Sequence, residues 1–467
     1  MSLRCYRRER NRFKHSARIK EARVIRKTIT RFAALCAVGA LALGSACAPG
    51  ETVDDGNKGN DAPKEAQKVD PKEFKGETLN YLYFTDGPDE KATRDNIKRF
   101  EEKYEVTVKL EILAYSDLVS SLQARLSGGN APDVVRLSGL GDFAADLLPL
   151  EEYLGSDYGD EFLEGPMLAA RNGEGKMIGV PSDLTMNGPF VNVDQFKKAG
   201  VEIPSADDPW TWDEMIEAAK KVQEANGTPY AFAMDKSGHR LSTILSQHGT
   251  ALLNNDGYAL DKDKAAKALQ PLLDMMNEGT MPKDFWIGAG SRYEGANEIF
   301  LAQDTPIYLS GSWQVGQFVE NAEFDWAAAP NPCADECGGF PGGKFMGALA
   351  KSKNPQLAAE FVRFMNDEES QTHFAEVSGN LPTRRDLTEK GVKYDEKAQP
   401  SMEIFSEDLK KTPEIGFEAN ARPAFGAAGK ALVEQLDKVV TGDKELSKAL
   451  DELQPEVEGI VEEMGTW

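Results

Sequence analysis

Histidine is scarce in this chain, four in 467 residues, and cysteine is hardly more frequent, at five. These side chains are the usual ligands of zinc, so little is left from which to build a metal centre. There is no H-E-x-x-H helix, G-x-S-x-G elbow, Walker loop or G-x-G-x-x-G turn after a strand. The sequence signatures of zinc peptidases, α/β-hydrolases, P-loop NTPases and dinucleotide enzymes are therefore missing. The apolar run that stands out, Phe32 to Leu43 (FAALCAVGALAL), falls short of the roughly 20 residues of a membrane-spanning helix. Basic charge is also short. Beyond residue 47 the chain has 42 Lys and Arg against 75 Asp and Glu, a net of −33. Such a surface repels nucleic acid and anionic lipid, which removes both from the expected partners.

Basic residues (Arg26, Lys27, Arg31) precede the apolar run, and Gly44-Ser45-Ala46-Cys47 follow it. The order basic, apolar, small reads as a secretory signal over residues 1–47. Its end resembles the lipobox of bacterial lipoproteins, in which the cysteine, here Cys47, is lipidated and becomes the mature N-terminus. A cleavage site of small residues also suits plain secretion. The first 23 residues are long and basic for such a signal, which points to Val24 as the true start. Residues 48–76 are rich in Asp, Lys, Gly and Pro and lack aliphatic periodicity, so a flexible tether is expected there. Cys333 and Cys337 lie four apart in NPCADECGGF. In an oxidising, exported setting they read as a short disulfide loop, the other reading being half a metal site.

From Leu79 the pattern alternates. LNYLYF and VTVKLEIL read as strands, EKATRDNIKRFEEKY as a helix with Ile97 and Phe100 on one face, and SDLVSSLQARLSGG as a capped helix. APDVVRLSG, MIGVPSDLTMNGPFVNV and TPIYLSGSW continue the series, and two amphipathic helices split by Thr441-Gly442-Asp443 close the chain. Alternating strands and helices imply an α/β fold with a largely parallel sheet.

Several segments in order carry a family likeness: Gly179-Val180-Pro181, Phe190-Val191-Asn192, Lys198-Ala199-Gly200, Thr211-Trp212-Asp213-Glu214, APDVV at 131–135, Gly311-Ser312-Trp313, and NPQLAAEFVRFM followed by GNLPTRRD. Together they resemble the extracellular solute-binding proteins of family 1, relatives of maltose-binding protein. The resemblance runs from about residue 77 to the end. It implies two α/β lobes of the type II periplasmic-binding-protein fold, with a ligand cleft between them. Lobe 1 is expected over 77–184 and 346–390, lobe 2 over 185–345 and 391–467.

The loops after strands are where such a site is expected. The resemblance puts Trp313 in the cleft as a stacking face for a sugar ring; a core tryptophan is the competing reading. Tyr83 and Asp86 follow the first strand, and Asp86 is equally well explained as a turn cap before Gly87-Pro88. Ser138 and Asp142 follow APDVV, with Asp142 competing as the N-cap of DFAADLL. Asp183 and Asn187 occupy the crossing segment, where Asn187-Gly188-Pro189 also reads as a turn. Arg240 is a donor to hydroxyls or a carboxylate. Gly343 and Phe345 precede the second crossover strand. Arg422 and Phe425 match a place where relatives carry an aromatic contact, commonly tryptophan.

By this reading the protein is no enzyme and needs no cofactor. It is the monomeric sugar-capturing component of an ABC-type importer, with permease subunits as partners and a lipid anchor on the outer face of the cytoplasmic membrane. A secreted carbohydrate-active enzyme using paired carboxylates, or a binding protein for a non-sugar solute, is the alternative.

Overall fold

The computed structural model describes residues 65–85, 88–289 and 295–465. The lipidation candidate Cys47, the signal, the tether up to residue 64 and the ligand candidate Asp86 lie outside the described residues.

One sheet runs through the described chain in the order β2-β1-β3-β8-β4-β6-β5. Its strands are β1 (Thr78–Phe84), β2 (Thr107–Leu113), β3 (Val134–Leu137), β4 (Val180–Asn192), β5 (Phe232–Met234), β6 (Ile307–Gly311), β7 (Trp326–Ala328) and β8 (Pro341–Ala348). β2, β1 and β3 are mutually parallel, as are β5 and β6, while β4 and β8 run antiparallel to one another. The strand β4 is the link between two halves. Val180–Met186 pairs with β8, and Asn187–Val191 pairs with β6, with β7 on the other edge of its end.

Burial divides along the same line. Leu79, Tyr81, Phe100, Val134, Val180 and Phe361 belong to one core. Val191, Trp212, Phe232, Leu309 and Leu432 form a second core, and Phe190, Tyr308, Phe318 and Phe405 a third. Neighbours on a strand (Phe190 and Val191, Tyr308 and Leu309) point into different cores, so this half of the sheet is covered on both faces. Ala375 and Leu381, on the lobe 1 side by sequence, pack into the third core with lobe 2 residues.

The helices used below are α1 (Asp89–Tyr104), α2 (Tyr115–Gly128), α3 (Glu164–Leu168), α4 (Trp212–Asn226), α5 (Gly238–Gln247), α6 (Gln314–Asn321), α7 (Pro355–Met365), α8 (Glu368–Ser378), α9 (Gln399–Lys411), α10 (Glu414–Ala421), α11 (Phe425–Val440) and α12 (Leu446–Met464). α4 starts as its sequence dictates. Thr211 accepts from Glu214 N, and Glu214 accepts from Thr211 N, a reciprocal capping box. α2 begins at Tyr115 without a side-chain cap, one residue before the serine expected to provide it.

Two expectations are corrected. Residues 65–76, assigned to the tether by composition, lie on lobe 1: Gln67 donates to the carbonyls of Tyr153 (3.0 Å) and Glu152 (2.7 Å), and Phe74 is buried. The segment Val180–Asn192, whose residues Asp183 and Asn187 read as a crossing with a turn at Asn187-Gly188-Pro189, is one continuous strand. Cys333 and Cys337 are joined as a disulfide, beside a backbone hydrogen bond from Cys333 to Trp210.

Candidate functional site

The carboxyl ends of β1, β2 and β3 on one side, and of β5 and β6 on the other, converge on the paired strands β4 and β8. Asp183 lies opposite Lys344 in that pair, beside a register shift between Lys344 and Phe345. Asp183 Oδ2 accepts from Arg136 Nη2 at 2.8 Å, and its Oδ1 lies 3.8 Å from Lys344 Nζ. Arg136 also bonds Asp89 Oδ2 (2.7 Å) and the Phe84 carbonyl (2.8 Å), with its guanidinium 4.8 Å from the Tyr83 ring centre. The Tyr83 hydroxyl donates to Asp89 Oδ2 and accepts from Thr93. Burial raises the pKa of this phenol. Two of the expected ligand contacts, Tyr83 and Asp183, are thus buried and engaged in a network that ties β3 and α1 to the crossing strands.

The lobe 2 wall is built at the start of α5, capped by Ser237. His239 stands edge-on to Phe340 (5.6 Å) and Phe425 (4.9 Å), whose rings stack at 5.3 Å. Burial, with the charges of Arg240 and Lys344, pushes its pKa down to about 3, so the imidazole is neutral. Asn187 is fully used within this wall. Its Nδ2 donates to the His239 carbonyl (3.2 Å) and Thr243 Oγ1 (2.9 Å), and its Oδ1 accepts from Arg240. The Arg240 guanidinium lies over the Trp313 ring at 4.4 Å. Trp313 is half-buried, which sets it apart from a core tryptophan such as Trp286.

The rims carry the remaining candidates. Asp142 caps no helix. It sits within a single 3-10 turn, Gly141–Phe143, its carboxylate is exposed and makes no hydrogen bond within the described residues, and partial desolvation raises its pKa. Ser138 Oγ lies 3.1 Å from the hydroxyl of Tyr115, whose ring packs on Phe84 at 5.0 Å. Asp183, Gly343 and Phe345 line one small recess with Pro181, Phe417 and Asn420, between α3 and α10. Arg422 donates to the Glu418 carbonyl at 3.1 Å. Phe425 is buried against Phe340 and His239.

Three positions emerge that the sequence did not single out: Tyr115, Phe340 and Phe417. Tyr115 had a signal, since it is the first aromatic after the strand VTVKLEIL. Phe417 had little, because α10 is short and shows no marked apolar stripe. Among the described residues no group of three or more His, Cys, Asp or Glu is placed to hold a metal.

This arrangement, two lobes whose strand ends face each other across shared crossing strands, recurs in proteins of known kind. An arabinooligosaccharide-binding protein of Bacillus subtilis is 28% identical over 362 residues, spanning 71% of this chain and 80% of the relative. The diacetylchitobiose binding protein DasA of Streptomyces coelicolor is 24% identical over 347 residues, 70% of this chain and 78% of that one. An ABC substrate-binding protein from Listeria monocytogenes, solved in complex with cycloalternan, superposes with a TM-score of 0.67 at 20% identity, over 83% of this chain and 99% of that one. The sequence pattern of the bacterial extracellular solute-binding proteins matches residues 96–401, well over half of the chain. With the two-lobed architecture and this match agreeing, the chain belongs to the bacterial extracellular solute-binding proteins.

Proposed function

We propose that this protein is the solute-capturing component of an ABC-type importer and binds an uncharged oligosaccharide between its lobes. The observation that carries this reading is the composition of the lobe 2 wall. Trp313 gives a stacking surface and His239, neutral near pH 7, gives a polar edge, while Phe340 and Phe425 exclude water around it. The charges near the floor are already compensated: Arg136 by Asp89 and Asp183, Lys344 by Asp183, Arg240 by Asp235. A site with matched cations favours a neutral, hydroxyl-rich ligand over a carboxylate or phosphate. Asp142 supplies the acceptor that sugar hydroxyls require. The relatives named for arabinooligosaccharide and diacetylchitobiose binding, and the one solved with cycloalternan, agree with that chemistry.

Tyr83, Asp183 and Asn187 serve in this reading as supports of the walls, and Ser138, Asp142, Trp313, Gly343, Phe345, Arg422 and Phe425 remain as the surface a ligand meets. The protein is exported, as its family is, and held by a lipid on Cys47 to the outer face of the cytoplasmic membrane, from which it delivers ligand to permease subunits as a monomer. Lobe 1 then comprises 77–184 and 346–390 with residues 65–76 packed on it, and lobe 2 comprises 185–345 and 391–467.

A thermal-shift screen of residues 65–467 tests the ligand class, using maltotriose, arabinotriose, diacetylchitobiose and glycerol phosphodiesters. At about a hundred times its dissociation constant a ligand adds roughly 2.7 kcal/mol. A neutral oligosaccharide hit that Trp313→Ala weakens markedly is the expected result. Stabilisation by the phosphodiesters alone would overturn the neutral-sugar reading.

A further inference from the structure

The Arg240 guanidinium was expected to meet the ligand, but its surroundings give it a different task. The residue is 5% exposed, and one of its terminal nitrogens donates to Asn187 Oδ1. Its Nε lies 3.8 Å from Asp235 Oδ2. Asp235 is itself fastened to strand β6, accepting from Ser310 Oγ (2.6 Å) and from the Tyr308 hydroxyl, and it also accepts from Ala296 N (2.9 Å). That strand ends at Gly311, two residues before Trp313. The carboxylate therefore fixes the guanidinium relative to the strand that delivers the tryptophan.

The tryptophan has few other restraints. Among the described residues its indole N–H has no hydrogen-bond partner. Its benzo edge crosses the strand end at Gly311, where a β-carbon would lie 2.1 Å from Cζ3, so only glycine admits this ring position. Above that edge the guanidinium covers one face of the indole at 4.4 Å. Arginine suits this place because its planar, weakly hydrated cation stacks on an aromatic face while its edge still donates.

We propose that Arg240, held by Asp235 and Asn187, is a positioning residue that sets the plane of Trp313 and leaves one indole face for the ligand. The inference rests on the sugar-capture reading for its affinity consequence, though not for its geometry. Arg240 acts through Trp313 and makes no direct contact with the sugar.

Two measurements on the protein spanning residues 65–467 test it. The first needs no sugar: the emission of Trp313, taken as the difference between each protein and its Trp313→Phe counterpart, in wild type, Arg240→Met and Arg240→Lys. The expected result is a shifted emission and greater acrylamide quenching of Trp313 in both variants, smaller in Arg240→Lys, which keeps the charge but loses the plane. Unchanged Trp313 emission in Arg240→Lys, the variant more certain to fold, would overturn the proposal. The second is a double-mutant cycle on arabinotriose affinity. Arg240→Met should weaken binding about tenfold in the wild-type background, within the range of a desolvated cation–π contact, and have no further effect when Trp313 is already alanine. Additive losses would mean that Arg240 touches the sugar directly. If arabinotriose and the rest of the panel fail to bind wild type, the capture reading fails, and the emission experiment still decides the role of Arg240.

Discussion

Gly141 of lobe 1 meets Pro423 of lobe 2 so closely that a β-carbon on the glycine would stand 2.7 Å from Pro423 Cα. A second contact repeats the relationship with the roles exchanged: a β-carbon on Gly316 would lie 2.5 Å from Pro88 Cγ. Glycine thus admits both close approaches, and at Gly141 the opposing atoms include the backbone of Pro423, which has little room to yield.

Gly141→Ala should therefore hold the lobes apart without touching ligand. A bound state that is harder to reach lowers apparent affinity in proportion to its lost population. A penalty of about 1 kcal/mol weakens binding roughly fivefold. Titration calorimetry with the panel sugar that binds wild type should show this loss, with the ligand-free melting temperature unchanged. Equal affinity in Gly141→Ala would mean that the bound form leaves a gap at this contact.

Much of the architecture could be read directly because period-two and helical patterns were strong where burial is simple, as in β1, α1, α11 and α12. The strand β4 was read as interrupted for a physical reason. Its polar residues Asp183, Thr185 and Asn187 are buried, and for Asp183 and Asn187 the satisfying partners, Arg136, Lys344, Arg240 and Thr243, lie far away in sequence. Local pattern cannot show that compensation. The same holds within the site for Asn187, whose hydrogen bonds are consumed by His239, Arg240 and Thr243, while the Tyr83 hydroxyl is taken up by Asp89 and Thr93 of the next helix.

The Arg136 network should be costly to break. Its two carboxylate partners, Asp89 and Asp183, are buried, and removing the cation takes the guanidinium from both, with Lys344 at 3.8 Å still facing Asp183. Loss of one partner from a buried pair costs about 3–5 kcal/mol. Arg136→Met should lower unfolding stability by that amount in a denaturant titration. A loss below about 1 kcal/mol would show that water replaces the guanidinium.

Asp408 on α9 gives a pH signature. Burial pushes its pKa up to about 6, although Asn331 donates to it from N (3.0 Å) and Nδ2 (2.8 Å). An unfolded aspartate titrates near about 3.9. Between these values the folded chain keeps a proton that the unfolded chain has released, so this group's stabilisation is present in acid and lost as pH rises through 6. Wild type should lose about 2–3 kcal/mol relative to Asp408→Asn between about pH 4 and about pH 7. Parallel melting curves for the two proteins across that range would contradict the assignment.

The Cys333–Cys337 bond closes a loop of only a few residues. Loop-closure entropy for so short a ring is worth roughly 2 kcal/mol. Intact mass should rise by two hydrogens on reduction, and Cys333→Ser with Cys337→Ser should lower stability by about that amount. A mass unaffected by reductant would show the thiols free.

Asp142 separates binding from folding most cleanly. Its carboxylate makes no hydrogen bond within the described residues, and protein crowding at the cleft rim raises its pKa through desolvation alone. Replacing it by asparagine keeps the shape and removes only the charge, so the ligand-free melting temperature should hold or rise slightly. A hydrogen bond to a charged acceptor contributes about 1.5–3 kcal/mol. Asp142→Asn should then weaken oligosaccharide binding by roughly 10–100-fold. The wild-type affinity should also fall in acid, as the raised carboxyl takes up its proton, while the variant's affinity stays level over the same range. Full affinity in Asp142→Asn would remove this residue from the ligand surface and move the acceptor role to the neutral imidazole of His239.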